Sequence, residues 1–132
     1  MLTSKSSAFL PLYILIFVLS HNCYAQVQQE WVRTYSGYPD SYNFPHCIAV
    51  DKSGDVYVSG GCTISNRGTF ISTVKYDKRG NVIWSKLDTS VYGSAYFSSL
   101  DGAGNLYLYI GIMTSGHYGM TIIKYTSGGS KL

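Results

Sequence analysis

From Cys47 onward the chain reads as short runs in which apolar positions alternate with polar or aromatic ones, broken at intervals by turn residues. Val56 and Val58 flank Tyr57, and Leu106, Leu108 and Ile110 alternate with Tyr107 and Tyr109. That period of two belongs to strands. Both sets of positions are apolar or aromatic, the pattern of strands covered on each face. No segment carries a 3.6-residue period. The pattern predicts strands over 47–51, 55–60, 69–77 and 81–87, and again over 94–101, 105–111 and 120–125. Tight turns separate several of them, with Gly54, Gly80 and Gly104 supplying positive φ and Asp or Asn capping the turn backbone.

Self-comparison shows that the second group of strands repeats the first. Asp51-Lys-Ser-Gly-Asp-Val-Tyr-Val58 aligns with Asp101-Gly-Ala-Gly-Asn-Leu-Tyr-Leu108 at an offset of 50 residues. Thr73-Val-Lys-Tyr76 aligns with Ile122-Ile-Lys-Tyr125 at 49, and Trp31-Val-Arg33 with Trp84-Ser-Lys86 at 53. A fixed period near 50 marks stacked repeats. The units fall at about 46–88 and 94–132, preceded by a strand-four-like segment over 30–35. Four-stranded antiparallel units of this length are propeller-type blades. The expected fold is therefore all-β, with two such blades, the second lacking its closing strand. A closed ring takes at least about four blades. The array thus reads as an incomplete ring, either a portion of a longer protein, which is the favoured expectation, or one that assembles with further copies into a larger propeller.

Asp51-Lys-Ser-Gly-Asp-Val-Tyr-Val-Ser-Gly60, followed by Thr73-Val-Lys-Tyr-Asp-Lys-Arg-Gly-Asn-Val-Ile-Trp84, resembles the seven-bladed β-propeller repeat of exported and cell-surface bacterial proteins. Blades of that family carry D-x-x-G-N-V-Y-V-T-G and T-I-K-Y-D-x-x-G-N-x-x-W. The second unit departs from the pattern: Tyr109-Ile110 follows Leu108, and no Trp follows Gly129. The resemblance implies a fold and an address and carries over no catalytic residue. The hairpin from Tyr76-Asp77 to Trp84 also resembles the tryptophan-docking motif of quinoprotein dehydrogenase propellers. There Trp follows Asp by eight residues; here the spacing is seven, and Arg79-Gly80 stands in place of Thr-Gly.

The first stretch stands apart. Lys5 is the only charge before Glu30 and precedes an apolar run from Ala8 to Leu19. That run is shorter than the roughly 20 residues of a membrane span and has the length of a signal-peptide core. Residues 1–25 are read as a signal peptide cleaved after Ala25, with lipidation at Cys23 the weaker alternative. Residues 26–132 then form the repeat region, with no transmembrane segment. The expected location is exported: secreted, periplasmic or cell-surface.

Composition narrows the function. Only 13% of residues are charged and the net charge is +3, which argues against a nucleic-acid binder. All 14 glycines lie beyond the leader. Cys47 and Cys62 are the cysteines of the repeat region, and export permits a disulfide between them. Pairing Val50 with Val56 sets Cys47 opposite Ser59, so that bond requires a bulge at Gly60-Gly61. Two buried thiols are the simpler expectation. His46 and His117 lack the spacing of a zinc site. Asp51, Asp55 and Asp101 lack the alternating ligands and distal Glu of a calcium loop, and cap turns instead. No Ser lies in a G-x-S-x-G elbow. No metal or cofactor is expected.

The tight turns all fall on one rim of such a meander. The connections over 36–46, 61–68, 87–93 and 112–119 fall on the other and read as long, irregular loops. Loops on a rigid scaffold concentrate binding residues. Tyr38, Tyr42, Phe44, Arg67, His117 and Tyr118 are the candidates there, suited to stacking and hydrogen bonding with a protein or carbohydrate. The expected function is a non-catalytic binding or scaffold module, with a homo-oligomer as one possible state. The alternatives are a fragment of a propeller enzyme, quinone-dependent or sugar-acting, and a truncated frame without activity of its own.

Overall fold

Seven strands form, and several run well past the alternating core that predicts them. The computed structural model describes residues 28–114 and 116–132; the leader predicted over 1–25 lies outside these. The strands are β1 (Ser41–Val50), β2 (Val56–Ile64), β3 (Gly68–Tyr76), β4 (Val82–Tyr92), β5 (Ser94–Leu100), β6 (Leu106–Thr114) and β7 (His117–Tyr125). All pairings are antiparallel, in a four-stranded sheet ordered β1-β2-β3-β4 and a three-stranded sheet ordered β5-β6-β7. Among the described residues there is no helix, and so none long and apolar enough to cross a membrane.

The long irregular loops expected on one rim are not there. Residues 41–46, 61–64, 87–92 and 112–114 lie inside strands. On that rim 65–67 and 93 connect strands, Gly116 precedes β7, and 36–40 lead into β1. The physical reason is that a ladder needs backbone partners, not apolar side chains. Cys62 pairs with Phe70 and Ile64 with Gly68, and the Thr63 and Thr69 hydroxyls lie 2.7 Å apart. Asn66 (φ 62°) and Gly68 (φ 104°) close that hairpin. The segment 30–35 also differs from expectation, because it joins neither sheet.

The opposite rim carries four turns of one build, over 51–55, 77–81, 101–105 and 126–130. In each, the first residue's N–H donates to the fifth residue's carbonyl, and the fourth residue's N–H donates back to the first residue's carbonyl. Asp51, Asp77 and Asp101 each accept the N–H groups two and four residues on with one carboxylate oxygen. Thr126 replaces Asp in the fourth turn, its hydroxyl accepting from the Ser130 N–H at 3.1 Å. Such caps contribute about 1 kcal/mol each.

The two sheets pack face to face. Tyr57 and Ile71 of the first sheet meet Ala95, Leu106, Leu108, Ile110, Ile123 and Tyr125 of the second, all nearly or fully buried. Each large aliphatic side chain buried there stabilises by about 2 kcal/mol. Inter-sheet packing therefore outweighs turn capping as the source of stability.

A tryptophan docks on each sheet in the same way. Trp84 on β4 donates its indole N–H to the Ser127 carbonyl at 3.0 Å and lies 6.3 Å from the Tyr125 ring. Its indole covers Gly129, where a Cβ would fall 2.9 Å from Cδ2. Trp31, in the segment before β1, donates to the Lys78 carbonyl at 3.2 Å, lies 5.8 Å from Tyr76 and covers Gly80. The sequence repeat at Trp31 and Trp84 is thus a repeat of contacts.

Candidate functional site

Polar side chains converge where the turns of the two sheets meet. Lys75, on the inner face of β3, reaches Asp55 at 3.1 Å and Asp51 at 3.3 Å, and its Nζ sits 4.7 Å from the centre of the Tyr57 ring. The Tyr57 hydroxyl lies 3.3 Å from Asp51 Oδ2 and 3.2 Å from the Gly104 carbonyl oxygen, linking the turn of one sheet to that of the next. Burial opposes the Lys75 charge, but Tyr57, Asp55 and Asp51 outweigh it and hold the ammonium well above the ordinary lysine range. Burial also works against ionised Asp51, yet the N–H groups of Asp55 and Ser53, with Lys75, keep its carboxyl below its usual range. The cluster ties β2, β3 and the 51–55 turn to the 101–105 turn of the second sheet.

The second sheet repeats this cluster in looser form. Lys124 stands 3.7 Å from Asp101 and 4.9 Å from the Tyr107 ring. Asn105 replaces the second carboxylate and donates its side-chain N–H to Asp101 at 2.7 Å. That contact leads in holding Asp101 down to about 2, with the N–H groups of Asn105 and Ala103 and the Lys124 charge adding to it.

The outer face of the first sheet carries an open apolar groove of about 290 Å³. Trp31, Arg33 and Tyr35 form one wall, and Phe44, Val58 and Val74 line the others. Arg33 is pinned to the same turn as Trp31, its Nε donating to the Gly80 carbonyl at 2.7 Å. Ile48 and Val50 lie on the same face and are 66% and 59% exposed.

The six residues singled out from the sequence spread over both sheets. Tyr38 precedes β1, Tyr42 and Phe44 lie on β1, and all three are exposed. Arg67, in the β2–β3 turn, stacks 5.8 Å from Phe70, whose ring lies 5.0 Å from Tyr92. His117 and Tyr118 open β7 in the second sheet, and Tyr118 is 87% exposed. Only Phe44 among them lines the groove. What the sequence reading missed is the groove itself, because Val56 and Val58 read as covered on both sides. The usable signal was Trp31 and Arg33, whose repeat at Trp84 and Lys86 marks a docked segment.

Cys47 and Cys62 are free thiols. Cys47 pairs with Ser59 and Cys62 with Asn43. The register does shift, but between Pro45 and Cys47 and not at Gly60-Gly61, so the two sulfurs stay on opposite faces. Burial leads in pushing the Cys47 thiol up. His46 packs on Tyr96, with ring centres 5.0 Å apart. Among the described residues no group of three or more His, Cys, Asp or Glu could hold a metal ion. No protein-family model matches the chain, and no curated protein matches it.

Proposed function

We propose that the chain is an exported, non-catalytic repeat module of the β-propeller type, similar to those of bacterial cell surfaces, acting as a scaffold that presents its exposed rim to a protein or carbohydrate. The observation that carries this reading is the repeated docking of a tryptophan on a turn. Trp84 seats on the turn of the next sheet as Trp31 seats on the turn of the first, so each sheet is built to have a neighbour. The Lys75 cluster adds to it, since Tyr57, which lies beneath Lys75, reaches the Gly104 carbonyl of the next sheet. On the rim, Tyr42 and Tyr118 offer exposed aromatic faces of the kind that stack on sugars or peptides.

The test is a binding survey of the exported chain against immobilised oligosaccharides and peptides, run beside the Tyr42→Ala/Tyr118→Ala double variant. The expected result is binding in the parent that falls at least tenfold in the variant, with unchanged circular dichroism. Incubation with a quinone cofactor, followed by gel filtration and absorbance, is the companion measurement. A chromophore that co-elutes and turns over an alcohol or sugar substrate sinks the non-catalytic reading.

A further inference from the structure

From the packing between the two sheets we infer that this chain binds a second copy of itself head to tail, the outer face of the β5–β7 sheet of one copy seating on the outer face of the β1–β4 sheet of the next. The inference rests on the stacked-repeat reading above and specifies its partner.

The junction inside the chain is the template. There the inner face of the first sheet offers Cys47, Ala49, Tyr57, Ser59, Ile71, Thr73 and Lys75, and the second sheet answers with Leu100, Leu106, Leu108, Ile123 and Tyr125. Moved on by the repeat offsets of 49 and 50, the first set becomes Phe97, Ser99, Tyr107, Tyr109, Met120, Ile122 and Lys124. By the pairing register these residues share the outer face of the second sheet. Moved back, the second set becomes Val50, Val56, Val58, Val74 and Tyr76, which share the outer face of the first sheet. The two outer faces are therefore the two halves of the junction already formed within the chain. Both are apolar and largely open: Phe97 is 69% exposed, Met120 72%, Ile122 59%, Ile48 66% and Val50 59%, while Val74 and Tyr76 are already buried, Tyr76 beneath Trp31. Open apolar faces of this kind mark association sites.

Trp31 supplies an independent argument. In the internal junction, Trp84 belongs to β4 of one sheet, pairs with Lys75 of β3 and docks on the turn of the other sheet. Trp31 is docked on the first sheet in that same manner, yet its own segment pairs with no strand. It occupies the place of a fourth strand for a sheet stacked on the groove. The second sheet has three strands, and among the described residues the outer edge of β7 pairs with Lys131, which bridges to Tyr125, and with the Leu132 N–H, which donates to the Lys124 carbonyl at 2.9 Å. By the register of β3 and β4, in which Lys75 faces Trp84 and Thr73 faces Lys86, Trp31 of one copy falls opposite Lys124 of the other. Arg33 likewise falls opposite Ile122. The exchanged segment pairs with β7, and the sheet it is docked on covers Lys124 as the second sheet covers Lys75. Such a contact is heterologous, so copies add in one direction and close only as a ring. Rings of about four to eight sheets correspond to two to four copies.

The experiment is the solution mass of the exported full chain by sedimentation and light scattering, with two pairs of exposed-site variants. Ile48→Glu or Val50→Glu spoils one face, and Ile122→Glu or Met120→Glu spoils the other; using two per face guards against one failing to fold. The parent is expected at two or more copies with a defined mass, and each variant alone at the mass of one. Mixing a folded variant of the first pair with one of the second restores one good junction, giving a 1:1 dimer that grows no further. A folded parent at the mass of one copy overturns the inference. So does a parent assembly that the variants leave intact, or a mixture that stays at one copy. Failure here leaves the binding survey on the rim unaffected, and loss of rim binding leaves the mass result standing.

Discussion

Replacing Gly129 by Ala isolates how much the tryptophan junction contributes to stability. Gly129 has φ +85°, and an added Cβ falls 2.9 Å from Trp84 Cδ2 and 3.1 Å from Cε2. Two costs combine. A left-handed backbone costs an L-residue about 1–2 kcal/mol. Displacing the indole loses its hydrogen bond to the Ser127 carbonyl, about 1 kcal/mol, and part of its packing against Tyr57 and Tyr125, about another 1 kcal/mol. The expected loss for Gly129→Ala is about 3–4 kcal/mol. Two controls separate the costs. Gly104 has φ +78°, but its added Cβ meets only Ser127 Cβ at an ordinary 3.5 Å, so Gly104→Ala carries the backbone cost alone. Gly102 has no atom within 4 Å, and Lys52 stands at the equivalent position, so Gly102→Ala is neutral or slightly stabilising. Urea unfolding followed by tryptophan fluorescence ranks the three. If Gly129→Ala costs no more than Gly104→Ala, the indole does not brace the junction, and the argument from Trp31 weakens with it.

Two further perturbations probe the charges. Lys75→Met leaves Asp51 and Asp55 facing each other without their cation in a nearly buried site, and is expected to cost about 3 kcal/mol in urea unfolding; Lys124→Met, made in the single-copy Ile48→Glu background where this face stays open, leaves stability nearly unchanged. Burial works against ionised Asp88, but Lys131, Ser90 and the Tyr125 hydroxyl bring its carboxyl down to about 2. A carboxylate depressed in the folded state stabilises fully above the unfolded value near 3.8 and loses that contribution as pH falls toward 2. Because Lys131 is exposed, the contribution is about 1 kcal/mol, and Asp88→Asn is expected to flatten the stability profile by that amount over this window in acid titrations followed by circular dichroism.

Strand positions were legible in the sequence wherever side chains alternate, as from Val56 to Val58 and from Leu106 to Ile110. They became illegible where the ladder runs through Gly60-Gly61-Cys62-Thr63, because there the pairing is made by backbone groups whatever the side chains. Turn chemistry was legible at Asp51, Asp77 and Asp101, whose carboxylates cap their own turns. At Thr126 it was hidden, because a hydroxyl performs the task with one acceptor. The candidate rim residues were chosen as loop residues. Tyr42 and Phe44 proved to be strand residues, and the register shift between Pro45 and Cys47, which no local pattern announces, sets Phe44 opposite Gly61.

Two stretches of similar pattern thus meet different surroundings, and the difference identifies what stacking does. Tyr57 and Tyr107 each reach an aspartate of their own turn, and among the described residues Tyr57 also reaches the Gly104 carbonyl of the neighbouring sheet, a contact that Tyr107 lacks. The side chain of Lys75 is 7% exposed and that of Lys124 32%, although each lies over its tyrosine beside its aspartate. Local sequence places these groups; the neighbouring sheet buries them. A polar cluster whose members are all provided, but whose cover is missing on one side, has the makings of an interface: its charges are already paired, so covering Lys124 leaves no unpaired cation to desolvate. That is why the outer face of the second sheet, apolar at Phe97, Met120 and Ile122 and internally neutralised at Lys124 and Asp101, is suited to receive a sheet of its own kind.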